Sequence, residues 1–250
     1  MSSPTQDAEG GGAWQNGVAE GGWWSAERGK LLAEKLAPVL PRDGLVIDLG
    51  CGRGETVDLL TEAGAGYVVG IDAELLPRWK PQPGRVAFVV CDVRRLPFRA
   101  GVADLVGSFD VIEHFADDAV PLTAARQLVR DGGAVALTVP AFPALWSKFD
   151  EQVGHHRRYT RQTLEAAIEA SGIEPDGTTY FFSWLAPAVW ATRHRDRVEA
   201  DAVAPGAVGR AVSVLVSWLC RAERAILRRW SLPFGSSLFV LGRPRRSAAA

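Results

Sequence analysis

Residues 45–54 read LVIDLGCGRG, and this stretch decides the fold. The apolar run Leu45-Val46-Ile47 ends in an acidic residue, Asp48, and glycines follow at alternate positions, Gly50, Gly52 and Gly54. A helical pattern then begins at Thr56-Val57-Asp58-Leu59-Leu60. Strand, glycine turn and helix in that order bring backbone close to a nucleotide-like ligand in an α/β sheet. Gly50 can take the tight turn out of the strand, Gly52 removes a Cβ where a ligand must approach, and Gly54 lets the helix start pack on the strand.

The spacing argues against a dinucleotide. The dehydrogenase fingerprint is G-x-G-x-x-G; here the third glycine comes one residue early and Glu55 stands in its place. Asp48 puts a carboxylate beside the turn, which would repel a pyrophosphate and attract an α-amino group. A ligand that joins an adenosine to a cationic amino acid fits better than NAD, and S-adenosylmethionine (SAM) is such a ligand. A second apolar run, YVVGID (67–72), ends in Asp72, about 20 positions after the turn, where an acid can accept bonds from ribose hydroxyls. A third, VAFVVCD (86–92), ends in Asp92, placed to accept from an adenine amino group while Val93 packs on the ring.

With those residues in hand, the chain resembles the class I SAM-dependent methyltransferases. The matching segments are DLGCGRG (48–54), GID (70–72), CDVRRLPF (91–98) and DVIEHF (110–115), and the resemblance covers about residues 20–184 and resumes at 231–243. A more local similarity is to a bacterial subgroup of the ubiquinone/menaquinone-methyltransferase-like type, through Trp23-Trp24, VPAFPALWSKFD (139–150), GHHRRYT (154–160) and LPFGSSLFVLGR (232–243). The resemblance implies SAM as cofactor, and a cofactor-binding set in which Cys51, Ala73 and Ser108 join the residues named above. It implies a chemistry, methyl transfer, and no particular acceptor.

Alternating strands and helices continue through ADLVGSFD (103–110), a helix from Asp117 or Asp118 to about Val129, and AVALTVP (134–140). A helix over Thr163–Ala170 and strands at 178–184 and 237–243 complete the pattern. The expected fold is α/β: a Rossmann-like, seven-stranded, mostly parallel sheet with helices on both faces. The resemblance adds an antiparallel final strand. Residues 1–20 and 245–250 read as tails, the first disordered, and 21–244 as one methyltransferase domain with a helical insertion at about 185–231. In that insertion Val208, Val212, Leu215, Leu219, Ala222 and Ile226 fall on one helical face, and Arg210, Arg221, Arg224, Arg228 and Arg229 make it basic. Three readings compete: a cover packed on its own domain or on a twin subunit in a homodimer, a lid over substrate, and a helix lying on a membrane surface.

Net charge is −1 and there is no basic stripe, so nucleic acid is not the expected partner; a small molecule is. Three scattered cysteines, Cys51, Cys91 and Cys220, fit a reducing compartment without structural zinc, and with no leader pattern at the start the expected location is the cytoplasm.

Ligands of open α/β sheets bind outside the carboxyl ends of the strands. The acceptor therefore approaches SFDVIEHF (108–115) and PAFPALWSKFDEQVGHHRRYT (140–160), which hold three of the four histidines, His114, His155 and His156. Imidazole can take a proton near neutral pH. His155, His156 and Tyr159 are the catalytic candidates, and His114, Trp146, Arg157 and Arg158 the substrate-binding ones. Each has a bland counterpart: a charged loop that is merely solvated, arginines that brace it, aromatics that belong to the core. Asp117-Asp118 reads as a helix cap, and no metal site is expected from the sequence. The rivals to methyl transfer are an NAD-dependent oxidoreductase, which the glycine spacing and Asp48 disfavour, and a SAM-binding module without transferase activity.

Overall fold

The computed structural model describes residues 23–192 and 207–245. Both expected tails, apart from Arg245, lie outside the described residues, as do His194 and the middle of the insertion. In chain order the elements are α1 (Trp23–Leu36), β1 (Leu45–Leu49), α2 (Glu55–Glu62), β2 (Tyr67–Asp72), β3 (Val86–Val90) and β4 (Ala103–Phe109). Then come α3 (Ala119–Leu128), β5 (Val129–Pro140), α4 (Lys148–Gln152), α5 (Arg161–Ala170), β6 (Ile173–Phe181), α6 (Ala186–Thr192), α7 (Ala207–Leu227) and β7 (Ser237–Pro244).

The strands form one sheet in the order β3-β2-β1-β4-β5-β7-β6. β1 to β5 pair in parallel, and β7 inserts antiparallel between β5 and β6. The order reverses at β1, between β2 and β4, so a crevice opens at the carboxyl end of β1, where ligands bind in such sheets.

Burial on both faces explains why the strands read as continuous apolar runs. Along β1, Val46 packs into a layer with Leu31, Leu32 and Leu36 of α1, Val57 and Leu60 of α2, and Leu227 of α7. Its neighbour Ile47 faces the opposite layer, with Leu122 and Leu128 of α3 and Leu164 and Ile168 of α5. Each fully buried leucine or isoleucine is worth about 1.5–3 kcal/mol.

Several boundaries differ from expectation. The Asp131-Gly132-Gly133 turn lies inside β5 as an irregularity in its pairing with β4. Gly133 is there because a Cβ would meet the Asp104 carbonyl at 2.8 Å. β6 begins five residues early, at Ile173, with a register shift between Pro175 and Gly177, and ends at Phe181 because Phe182 takes φ 55° and turns the chain away.

The insertion departs furthest. Where its side chains are described, α7 does not bury the stripe its periodicity suggested: Leu215 and Ile226 are 56% and 48% exposed, and the side chains of Val208, Arg210 and Val212 lie outside the described residues. It packs instead through Cys220, Glu223 and Leu227. Polar bonds choose this face. Glu223 accepts from the backbone N–H groups of Phe182 and Ser183 at 2.7 Å each, Arg224 pairs with Glu27 and Glu34 of α1, and Arg228 pairs with Glu34 at 3.0 Å. A buried carboxylate left unbonded costs more than a few exposed apolar side chains.

Candidate functional site

The glycine turn is tied to the neighbouring strand. The N–H groups of Gly50 and Cys51 both donate to the Ile71 carbonyl, at 2.8 and 2.9 Å, and the Gly52 N–H donates to Asp72 Oδ2 at 2.8 Å. All three glycines have positive φ, 79°, 51° and 86°. At Gly50 a Cβ would stand 2.6 Å from both methyls of Val111. Gly54 caps α2 in the left-handed region, and its Cβ would press on the Phe88 ring of β3 rather than on β1. Trp79 closes the turn from outside: its indole N–H donates to the Gly52 carbonyl at 2.8 Å and its ring stacks on Phe88 at 4.8 Å.

Asp48 lies at the centre of this cradle, fully buried, and neither carboxylate oxygen has a hydrogen-bond partner. Burial pushes its carboxyl up to about 7, with Arg28 opposing and Asp72 adding to the rise. An orphaned buried carboxylate beside a glycine turn fits a ligand that carries an ammonium group. The other expected cofactor residues are placed as follows. Asp72 closes β2 and keeps lone pairs beyond its bonds to Gly52 and Glu74. Ala73 is exposed beside it. Asp92 caps the short turn at Val93–Arg95, accepting from the Arg94 N–H at 2.8 Å, and Val93 is half-buried. Ser108 is buried on β4 with an unpartnered hydroxyl. Cys51 is a buried thiol, pushed far up by burial and by Asp48 and Asp72, so it stays protonated and is no nucleophile.

The acceptor side is built beyond the carboxyl ends of β4 and β5. Asp110 follows β4 at φ 59° and is held by Arg28 of α1 and by the Thr138 hydroxyl at 3.0 Å. Glu113 is fully buried with no hydrogen bond to either oxygen; burial first, then the charge of Asp110, holds its carboxyl well above the usual range. The His114 ring lies 4.7 Å from that of His155, and burial followed by the charge of His155 lowers its imidazole to about 4. His155 Nδ1 bonds Asp150 Oδ1 at 2.8 Å, and its Nε2 points to Glu113 Oε1 at 3.8 Å. The ligand atoms of Glu113, His114 and His155 all lie within 4.8 Å of one another.

Asp150 is the hub of this loop. It is fully buried, closes a capping box with Ser147 at the start of α4, and accepts from both His155 and Arg158 Nε at 2.8 Å. Burial opposes its ionisation, yet those bonds hold its carboxyl down to about 2.

Three candidates are corrected here. Tyr159 is not placed as a base: it is a core residue whose hydroxyl donates to Asp118 Oδ2 at 2.7 Å, and burial followed by that bond pushes the phenol far up. Arg157 and Arg158 do not reach out to clamp an acceptor. Arg157 pairs with Asp118 at 2.9 Å and donates to the Ala116 carbonyl, and Arg158 is spent on Asp150 and the Ala141 carbonyl. His156 is exposed and tied in by its backbone N–H to the Glu113 carbonyl at 2.8 Å, and Trp146 is half-buried with its indole 3.4 Å from Glu151. Arg28, Trp79, Asp110 and Glu113 do not stand out in the sequence as site residues, whereas Asp150 is the acid the loop offers its histidines. Only the E-H pair at 113–114 signals any of those four.

Comparison with known proteins agrees with this geometry. A family model described as a methyltransferase domain matches residues 25–176. The malonyl-[acyl-carrier protein] O-methyltransferase of Pseudescherichia vulneris is 30% identical over 157 residues, 58% of this chain and 61% of that one. A probable S-adenosylmethionine-dependent methyltransferase of Mycolicibacterium smegmatis is 27% identical over 71% of this chain and 70% of its own length. The chain spans between 37% and 61% of the length of the first curated relatives it matches. The crystal structure of an S-adenosylmethionine-dependent methyltransferase from Mesorhizobium loti superposes with a TM-score of 0.56 at 20% identity, covering 87% of this chain and 99% of that one, which is a likeness of fold.

Proposed function

The chain belongs to the SAM-dependent methyltransferases, and from that premise we propose that it methylates an oxygen of a small-molecule acceptor at the carboxyl edge of β4 and β5. The observation that carries this reading is the Asp150–His155 pair. With Nδ1–H donated to Asp150, the lone pair of Nε2 is turned toward the Glu113–His114 side of the loop. Bound SAM supplies a methyl group already activated by its sulfonium. Asp48 meets the cationic end of the cofactor, Asp72 its ribose, and the glycine turn lets the backbone approach. His155 acts on the acceptor hydroxyl as it attacks. The O-methyltransferase relative supports an oxygen acceptor. Production of S-adenosylhomocysteine and a product 14 mass units heavier, from SAM and a metabolite extract, tests the reading; SAM binding without turnover on any extract would favour the binding-module alternative.

Asp72→Ala is expected to weaken SAM binding on the order of 10-fold, since bonds to a charged acceptor are worth ~1.5–3 kcal/mol and the same carboxylate also braces the Gly52 N–H. Unchanged affinity by calorimetry in a folded variant would remove Asp72 from the cofactor site.

The outer face of α7 bears on where the acceptor is met. Val214, Leu215, Trp218 and Ile226 are exposed along it, and Trp230 and Phe234 are exposed just after the helix, with Arg221 and Arg229 also exposed. Apolar and aromatic side chains flanked by arginine suit the surface of an anionic membrane. Among the described residues no helix is long and apolar enough to cross one. We read the face as a peripheral contact to anionic lipid. Flotation with phosphatidylglycerol vesicles is expected to carry the protein up at low salt, and Trp218→Ser with Trp230→Ser to abolish it. A protein that stays in solution but sediments as a dimer would assign the face to a twin subunit.

A further inference from the structure

We propose that Glu113, His114 and His155 bind a divalent transition-metal ion. Glu113 is the anchor of the site. A carboxylate with no exposure and no hydrogen bond to either oxygen is a costly thing to keep in a core. It is followed directly by His114, and the loop after β5 brings His155 to the same point from 42 positions away in sequence. One carboxylate oxygen and two imidazoles form the donor set that holds zinc, iron or cobalt while leaving coordination positions open.

The surroundings have the form of a supporting shell. Ligating histidines usually give their second nitrogen to a carboxylate, which fixes the tautomer and aims the other lone pair at the ion. His155 does this with Asp150 at 2.8 Å, and Asp150 is itself fixed by Ser147 and Arg158. Nε2 then faces Glu113 Oε1 at 3.8 Å, a separation two ligands of one ion can have when each bond is about 2.0–2.2 Å. The ligand atoms lie within 4.8 Å of one another, against about 3.4 Å for two ligands of a tetrahedral ion at such bond lengths, so they close by up to roughly 1.4 Å on binding, within the reach of side-chain rotation. The bland account is a carboxylic acid kept neutral by burial. It leaves unexplained why two imidazoles, one of them braced by a buried carboxylate, converge on that acid.

The binding site stands without the methyl-transfer reading; its role rests on that reading. With Nε2 on the ion, His155 acts on the acceptor through the metal and not as the proton acceptor itself: the ion would take the acceptor oxygen at an open position and lower the pKa of its proton, which passes to solvent water. The oxygen attacks the methyl carbon as the carbon–sulfur bond breaks.

The full chain, stripped with a chelator and titrated with Co2+, tests the site directly through visible d–d absorption. One equivalent is expected to bind, displaced by Zn2+. Glu113→Gln should weaken it about 100-fold or more, and Asp150→Asn by about 10–100-fold, the range for outer partners of a metal-bound histidine. His114→Asn replaces the first variant if that one does not fold, and His156→Ala should bind as the wild type. No spectral change, unchanged affinity in Glu113→Gln, or loss in His156→Ala alone would overturn the site. SAM affinity measured on the same samples separates the two readings: Co2+ binding without SAM binding sinks the methyltransferase reading and leaves the metal site standing.

Discussion

Asp48→Asn is expected to move two properties in opposite directions: SAM affinity falls about 100-fold, while the ligand-free protein becomes more stable. The first effect is the loss of the charge that meets the cofactor's ammonium group; bonds to charged partners reach ~3 kcal/mol, and this one is fully buried. The second follows from the carboxyl's displacement by burial from 3.8 to about 7. An acid whose folded value lies above its unfolded one makes the unfolded state bind fewer protons, so stability declines as pH rises from about 3.8 to about 7 and stays low above that. The gap sets a ceiling of about 4 kcal/mol. The asparagine amide keeps part of the burial cost, so the expected gain is a few degrees in melting temperature, at about 2–4 °C per kcal/mol for a chain of this size. The gain should be larger at pH 8 than at pH 5. SAM binding to the wild type should release a proton below pH 7 and weaken as pH falls there. Equal gains at both pH values, or unchanged SAM affinity, would show that Asp48 does not hold the cofactor.

That trade between binding and stability was half legible in the sequence. Glycines at alternate positions after an apolar run ending in Asp48 report the cradle because turn geometry is local: the positive φ angles at 50, 52 and 54 need glycine, and the pattern shows it. The order of the seven strands was legible only in class, through βα alternation; the antiparallel β7 came by resemblance, since period-2 patterning carries no strand direction. What the sequence hid was long-range. Asp150 reads as one acid in a charged loop, and only the fold shows it buried beneath His155 and Arg158. Tyr159 reads as a hydroxyl beside two histidines, yet β5 and α5 draw it into the core. On α7 the apolar period pointed to one face, and three carboxylates, Glu27, Glu34 and Glu223, selected another. Hydrophobic periodicity does not register where buried charges find partners.

The largest effect on turnover is expected at His155. Although Gly154 precedes it, the ring is fixed: side-chain exposure is 9%, Nδ1 is bonded to Asp150, and the backbone N–H donates to the Asp150 carbonyl at 2.8 Å. A fixed ring suits acceptor activation better than a mobile one, because the reacting oxygen must be held in line with the methyl carbon. His155→Ala should therefore lower turnover by about 10²–10⁴-fold with SAM affinity kept, the usual span for the loss of an acid–base group. His156→Ala should cost no more than a few-fold, since its side chain is exposed. Asp150→Asn is the sharper variant. It keeps the shape of the hub but removes the charge that orients Nδ1, so it should follow His155→Ala in turnover, and it should also lose stability, because the wild-type carboxyl is held down to about 2. That stabilisation is present above about 3.8 and lost as pH falls toward 2, so the two proteins' melting temperatures should converge in acid. Turnover of Asp150→Asn near the wild-type level, with the expected loss of stability, would make the pair a structural brace and move acceptor activation elsewhere.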